Sequence, residues 1–328
     1  MHDVIVIGGG PAGLAATAYA LDKGLDVVLL CTAYGGQAGA EQWIDGQIQP
    51  EAFLGLQGVV ECRRRITAGQ GYLVHELTVG VFQQGECFQV VTELCTRSTR
   101  TVIVATGAQQ RVLGLPNEHA LIGRGLAYSI TTHAQLAAGR DVVVIGGTPH
   151  ALHGVAELAR SARRIALIVP PDVQIDGVLA QRLRELPHVT FYDGYTVTAL
   201  EEAHNVLQCA VVLRGSVVQR IPAEVVFVDI GLVPAAQLVP QEVARDSHGF
   251  IIVDALQQTN LPGLFAAGDV TTQPTEHILI ALGAGARAAL HAYDCILAQR
   301  LQLPVEAVRS RGSAPVTNAN SPIARDGD

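Results

Sequence analysis

The apolar run Val4-Ile5-Val6-Ile7 leads straight into Gly8-Gly9-Gly10-Pro11-Ala12-Gly13. A near-copy recurs downstream as Val142-Val143-Val144-Ile145 followed by Gly146-Gly147-Thr148-Pro149-His150-Ala151. A buried strand, a glycine turn and a helix open a βαβ unit. Two such openings in one chain restrict the fold to an α/β protein with two dinucleotide-binding units. In the first copy Gly8 permits the tight turn, Gly10 admits a pyrophosphate to the backbone, and Gly13 lets the helix close on the strand. The helix expected over Leu14–Lys23 offers free N–H groups and a positive dipole end to phosphates. Gly24 stops it, and Leu25–Leu30 reads as the next strand. In the second copy Thr148 replaces the glycine that allows close approach, and Pro149 removes a possible N–H donor.

The chain between and beyond these turns reads as strands and helices of ordinary length. A loop over Thr32–Gln49 holds Trp43, the only tryptophan. A helix is expected over Glu51–Thr67, then strands over Tyr72–Phe82, Glu86–Leu94 and Arg100–Val104. The second unit is expected as strand Asp141–Ile145, helix Ala151–Ala162, strand Arg164–Val169, helix Val178–Leu186 and strand Val189–Tyr192. A meander over Thr196–Leu200, Val206–Arg214 and Val217–Ile221 follows, closed by Val225–Ile230. The chain then returns through Gly263–Asp269 and a long apolar helix over His277–Arg300. The expected division is 1–113 plus 245–302 for the first domain and 114–244 for the second. Residues 303–328 read as a flexible tail.

Composition narrows the function. A net charge of −8 supplies no basic face for nucleic acid. No apolar run approaches the ~20 residues of a membrane span, and no leader pattern is present, so a cytoplasmic protein is expected. Cys31, Cys62, Cys87, Cys95, Cys209 and Cys295 form no C-x-x-C pair and read as buried free thiols in a reducing compartment. No cluster has metal-ligand spacing.

Further words point to one family. The first fingerprint is joined by Gly35-Gly36-Gln37, Glu41-Gln42-Trp43, Ala105-Thr106-Gly107-Ala108, Gly123-Arg124-Gly125, Val226–Pro234 and Gly268-Asp269-Val270. Over residues 1–302 the chain resembles the thioredoxin reductase-like, FAD-dependent pyridine nucleotide-disulfide oxidoreductases. The resemblance implies two Rossmann-like three-layer domains and a homodimer. It also implies FAD with its pyrophosphate on Gly8, Gly10, Pro11, Ala12 and Gly13. It sets Gly36, Gln37 and Gln42 beside the flavin and ribityl chain and Asp269 at a ribityl hydroxyl, with Thr106, Gly107 and Gly268 as further cofactor-binding residues. The backbone of His277 and Ile278 falls at the flavin's pyrimidine edge.

Departures from the family pattern carry the functional argument. Where the family has Cys-Ala-Thr-Cys-Asp, this chain has Ser129-Ile130-Thr131-Thr132-His133. Hydroxyls form no thiolate and exchange with no disulfide. His133 falls at the family's proton-donating Asp and is the candidate catalytic residue, as a proton donor. Where NADPH users carry His-Arg-Arg and a further Arg, this chain has Val169-Pro170-Pro171 and Ile175, so the grip on a 2′-phosphate is gone. Ferredoxin–NADP reductases of this fold also lack the cysteines but keep those arginines. The leading expectation is an FAD oxidoreductase fed by a ferredoxin-like protein or a small organic substrate, without efficient NADPH use. The alternatives are a non-catalytic flavin-binding sensor or regulatory subunit, and an NAD(P)H-dependent disulfide reductase with relocated cysteines such as Cys87 and Cys95. A nicotinamide bound in some other pose also stays open.

Overall fold

A computed structural model describes residues 1–39, 43–44, 47–48, 56–68, 72–273 and 277–308. Two mainly parallel sheets dominate it, each opened by one of the glycine turns. The first is seven-stranded and runs Tyr72–Val74, Val27–Leu30, His2–Ile7, Thr96–Val104, Cys87–Thr92, Thr78–Gln84. Leu264–Ala266 also pairs with Thr96–Val104, in parallel. Strand His2–Ile7 is central, and Val4, Ile5 and Val6 are completely buried because both faces are covered. One face carries the helices Pro11–Asp22, Leu56–Ala68 and Ile278–Leu301. The other packs on Ala236, Val239, Val243 and Ile251.

The second sheet is five-stranded, in the order Leu126–Ala127, Val225–Val228, Asp141–Ile145, Arg164–Val169, Val189–Asp193. Helices Pro149–Leu158 and Val178–Arg184 pack against it. The antiparallel meander Thr196–Ala203, Val206–Arg214, Val217–Pro222 covers its other face. These are two Rossmann-like units. The chain crosses between them twice, and the crossings bond to one another: Ala108–Gln110 pairs antiparallel with Leu232–Pro234. Thr106 Oγ1 adds a hydrogen bond to the Ala235 carbonyl at 2.7 Å.

Several expectations need correcting. The run 72–82 is two strands, broken at His75–Leu77 where the chain leaves Val27–Leu30 and turns to pair with Cys87–Thr92. Strand Thr96–Val104 starts earlier than expected because its first residues are polar and half-exposed. The return to the first unit, expected at residue 245, has begun by Ala236, which already packs on the first sheet. A short helix, Val305–Val308, follows Pro304 where the expected tail begins. No described helix is long and apolar enough to cross a membrane.

Candidate functional site

The two helices after the glycine turns begin alike and end their first turns differently. Each has proline at its first turn, where the missing N–H costs nothing. Helix Pro11–Asp22 is capped by Gly10 with no side-chain bond, so its first N–H groups are left to an external acceptor. Helix Pro149–Leu158 is capped by Thr148, whose Oγ1 accepts from the Ala151 N–H at 3.0 Å. A side chain of the protein occupies the bonding position that a phosphate takes at the first turn.

Space follows the same division. A Cβ on Gly10 would meet nothing nearer than the Gly36 Cα, at 4.0 Å. A Cβ on Gly13 would lie 1.8 Å from the Gly8 carbonyl oxygen, so the helix sits directly on the turn. The middle glycine is covered alike in both turns: a Cβ on Gly9 would lie 2.3 Å from the Ala33 carbonyl oxygen, and one on the equivalent Gly147 would strike Val173 Cγ1 at 2.4 Å. Val173 and Ile175 come from the segment after Arg164–Val169 and pack onto the second core. That is the segment in which the phosphate-gripping arginines are missing. His150 Nδ1 pairs with Asp229 Oδ2 at 2.6 Å, tying the opening of the second helix to the next strand end.

A cavity of about 860 Å³ opens above the first turn. Gly8, Gly10, Pro11 and Ala12 line one end, with Gly36 and Gln37 opposite. Thr106, Gly107, Gly268, Asp269, His277 and Ile278 continue the wall. The cavity therefore gathers the expected contact residues other than Gly13, which works from behind the turn, and Gln42, which lies outside the described residues. Sequence reading missed the strand-end segment Glu76–Val79 and the return segment at Ala235, Gln237 and Leu238, which also line it. No residue pattern marks them, because they reach the cavity through tertiary folding alone.

Individual side chains refine the expected roles. The Thr106 hydroxyl is held by Ala235, so its hydrogen bond serves the crossing ribbon. The Gln37 amide donates to the Ala108 carbonyl. His277 is the N-cap of the long helix, its Nδ1 accepting from the Leu279 N–H at 3.2 Å. Asp269 is a half-buried carboxylate on the cavity wall whose proton affinity is pushed up by desolvation, with no donor to it among the described residues. A hydroxyl on a bound ligand would supply one. An uncapped helix end, an open glycine turn and an acceptor for a sugar-like hydroxyl fit a dinucleotide such as FAD.

His133 is 4% exposed and lines the same cavity, with Ser129 and Thr131. Its Nδ1 lies 3.0 Å from the Ser129 carbonyl oxygen, which only accepts, so Nδ1 is the donor in that bond. Burial lowers its pKa, against the smaller opposing effect of that hydrogen bond. Burial thus works against the charged form of the expected proton donor.

The relocated cysteine pair also fails on geometry. Cys87 opens strand Cys87–Thr92, opposite Gln84, while Cys95 is bonded to Thr92 at the strand's far end. Five residues of strand separate them by roughly 16 Å, far beyond the Cα spacing of a disulfide. Every cysteine is free, and no described cluster of residues is arranged to hold a metal.

Comparison with known proteins agrees with this architecture. A family model described as pyridine nucleotide-disulphide oxidoreductase matches residues 2–289. The alkyl hydroperoxide reductase of Pseudomonas putida, in its F subunit, is 33% identical over 308 residues, covering 90% of this chain and 58% of the relative. An NADH dehydrogenase of Bacillus subtilis (strain 168) is 31% identical over 298 residues, again 90% and 58%. The chain thus spans 58% of the length of these relatives. The crystal structure of thioredoxin reductase from Streptococcus pyogenes MGAS5005 matches with a TM-score of 0.81 at 26% identity, covering 91% of this chain and 99% of that one.

Proposed function

The chain belongs to the pyridine nucleotide-disulphide oxidoreductase family, and from that premise we propose an FAD-dependent oxidoreductase that reduces no disulfide and takes its electrons from a donor other than NADPH. Proteins of this thioredoxin reductase-like kind bind FAD, which when bound supplies reversible two-electron chemistry. Gly8–Gly13 would hold its pyrophosphate and Asp269 a ribityl hydroxyl.

One observation carries the reading: Thr148 caps the second helix with its own side chain, while the equivalent Gly10 leaves the first helix uncapped and the space before it open. A nicotinamide dinucleotide has to displace the Thr148 hydroxyl before its pyrophosphate reaches the backbone. The donor is then a ferredoxin-like protein or a small organic substrate, and His133, on the wall of the same cavity, exchanges the proton that oxidation of such a substrate releases. The chain works as a homodimer. Ala281 and Ala284 are buried against the first helix and offer a partner nothing. Leu279 and Ile280 remain exposed and supply a self-complementary contact.

The test is anaerobic stopped-flow absorbance of the flavin band, with NADPH, NADH, reduced ferredoxin, a dithiol and candidate organic donors in turn. Fastest bleaching by ferredoxin or an organic donor is expected. Faster bleaching by NADPH or NADH would overturn the reading, and the relative named as an NADH dehydrogenase makes NADH the sharper challenge. No bleaching by any donor would favour the flavin-binding sensor.

A further inference from the structure

A second cavity, of about 590 Å³, shares a wall with the first. Gln37, the strand Ala108–Gln110, Ser129 and His133 line both. Its size falls in the range of small-molecule sites. Away from the shared wall the described lining is mostly apolar, from Ile122, Leu126, Ala127, Leu136, Val225 and the ring of Tyr128.

Most polar groups on this lining are already engaged. The Gln37 amide donates to the Ala108 carbonyl. The Tyr128 hydroxyl donates to Glu118 at 2.6 Å. Glu118 is 4% exposed and also accepts from the backbone N–H groups of Leu113, Gly114 and Leu115, so its oxygens are satisfied and the Tyr128 ring is held as a fixed wall. Gln110, Ser129, His133 and Arg140 each hold partners of their own. Gln109 and His119 are the lining side chains whose hydrogen-bonding groups have no partner among the described residues.

We propose that this cavity binds a small uncharged organic molecule, an aromatic or alicyclic body carrying a carbonyl or hydroxyl group. The body would lie on Ile122, Leu126, Leu136 and Val225, and the oxygen against Gln109. The assignment rests on the proposed use of a small-molecule redox partner and supplies its chemical class.

The engaged groups are what select a neutral ligand. An ion entering the cavity gives up its hydration, while the lining's arginine is already committed elsewhere, and a buried charge without a partner is costly. A neutral body gives up little water and gains from the apolar walls. The amide of Gln109 both donates and accepts, so it satisfies a carbonyl and a hydroxyl alike. Gln109 also lines both cavities. An oxygen held there sits at the boundary with the cavity assigned to FAD.

The test is titration of the full chain, at measured flavin content, with acetophenone and with phenylacetate and phenethylamine as its anionic and cationic matches, followed by calorimetry and flavin absorbance. Acetophenone is expected to bind once per chain, about tenfold or more tighter than either ion. Gln109→Leu removes the amide at similar volume and is expected to weaken acetophenone about fivefold, the scale of one neutral hydrogen bond. Ile122→Trp, which fills the cavity from a residue already 39% exposed, is expected to abolish binding with FAD content unchanged. Tighter binding of either ion, equal affinity for the three probes, acetophenone binding unchanged by either variant, or no binding to the yellow protein would each overturn the assignment. Selective acetophenone binding to a chain that takes up no FAD would uphold the cavity assignment while removing the flavin reading. A fully loaded flavoprotein without that selectivity would do the reverse.

Discussion

Gly8 and Gly146 meet the same wall in the two units. A Cβ on Gly8 would lie 2.2 Å from the Ala105 carbonyl oxygen, and one on Gly146 would lie 2.0 Å from that of Asp229. Strand order around each turn is also shared: His2–Ile7 sits between Thr96–Val104 and Val27–Leu30, as Asp141–Ile145 sits between Val225–Val228 and Arg164–Val169. The backbone of the second unit has kept its form. The cover over the middle glycine is shared too, Ala33 lying 2.3 Å from a Cβ on Gly9 and Val173 2.4 Å from one on Gly147. What differs is Thr148 for Gly10 and Ala151 for Gly13. Sheet and helix packing stabilise each turn from behind, so the backbone form is kept across those changes.

The largest effect is expected at Gly13. Gly13→Ala places a methyl 1.8 Å from a backbone oxygen that cannot move aside. Loss of all bound FAD and a destabilisation of about 3 kcal/mol are expected, read by flavin absorbance and thermal denaturation. In the second turn Ala151 already stands where the first has Gly13; there Gly147→Ala meets Val173, a side chain, and is expected to leave FAD content unchanged. Equal losses from the two would show that the turns are not functionally distinct.

Nicotinamide affinity comes next. Two missing charge-assisted contacts to a 2′-phosphate correspond to ~3–6 kcal/mol, more than a hundredfold. NADPH and NADH should therefore bind weakly and alike by calorimetry. Combining Thr148→Gly with Val173→Gly is expected to tighten both, since it removes the cap and the cover together. Adding Pro170→Arg, Pro171→Arg and Ile175→Arg should then favour NADPH. Micromolar NADPH binding by the unaltered chain, with NADH at least about tenfold weaker, would refute the closed second site.

Asp269 gives a smaller effect with two signs. Asp269→Asn removes a charged acceptor for a ligand hydroxyl, so FAD affinity should fall about tenfold. The same change should stabilise the flavin-free chain. With its folded pKa raised by burial, Asp269 supports the apoprotein below the ordinary aspartate pKa and loses that support as pH rises through the raised value. Melting curves of both forms across pH separate the two effects.

The smallest is His133. Its pKa is lowered by burial, so the stability it favours is full above the ordinary histidine value and is lost as pH falls through its depressed one. His133→Asn should flatten that part of the profile by about 1 kcal/mol. A profile unchanged by the substitution would mean that burial does not disfavour the charged form of His133.

Much of this was readable from residues, and the rest fails for definite reasons. Strands Asp141–Ile145, Arg164–Val169 and Val206–Arg214 fall where their apolar runs place them, since buried parallel strands and regular meanders write their burial into the sequence. Tyr72–Phe82 misleads because a change of pairing partner leaves the apolar pattern nearly unbroken. Thr148 and the missing arginines are visible as letters. The contact of Val173 with Gly147 is not, since it depends on how the loop after Val169 folds back. The second cavity is equally hidden, for its walls come from chain segments around residues 37, 108, 126 and 225. His133 was legible as a position, while its burial and the carbonyl 3.0 Å from its Nδ1 were not.

The ribbon of Ala108–Gln110 with Leu232–Pro234 has a consequence for synthesis. Everything between its strands is an insertion whose ends are adjacent, so the second unit can fold as soon as it leaves the ribosome. The first unit cannot. Strand Leu264–Ala266 and helix Ile278–Leu301 complete its sheet and cover, and they are made after the whole of the second unit. During translation a finished unit therefore hangs from an unfinished one, whose apolar strand edges stay exposed until residue 301 has been made. The cavity above the first turn gains its walls at Gly268, Asp269, His277 and Ile278 only in that same late stretch.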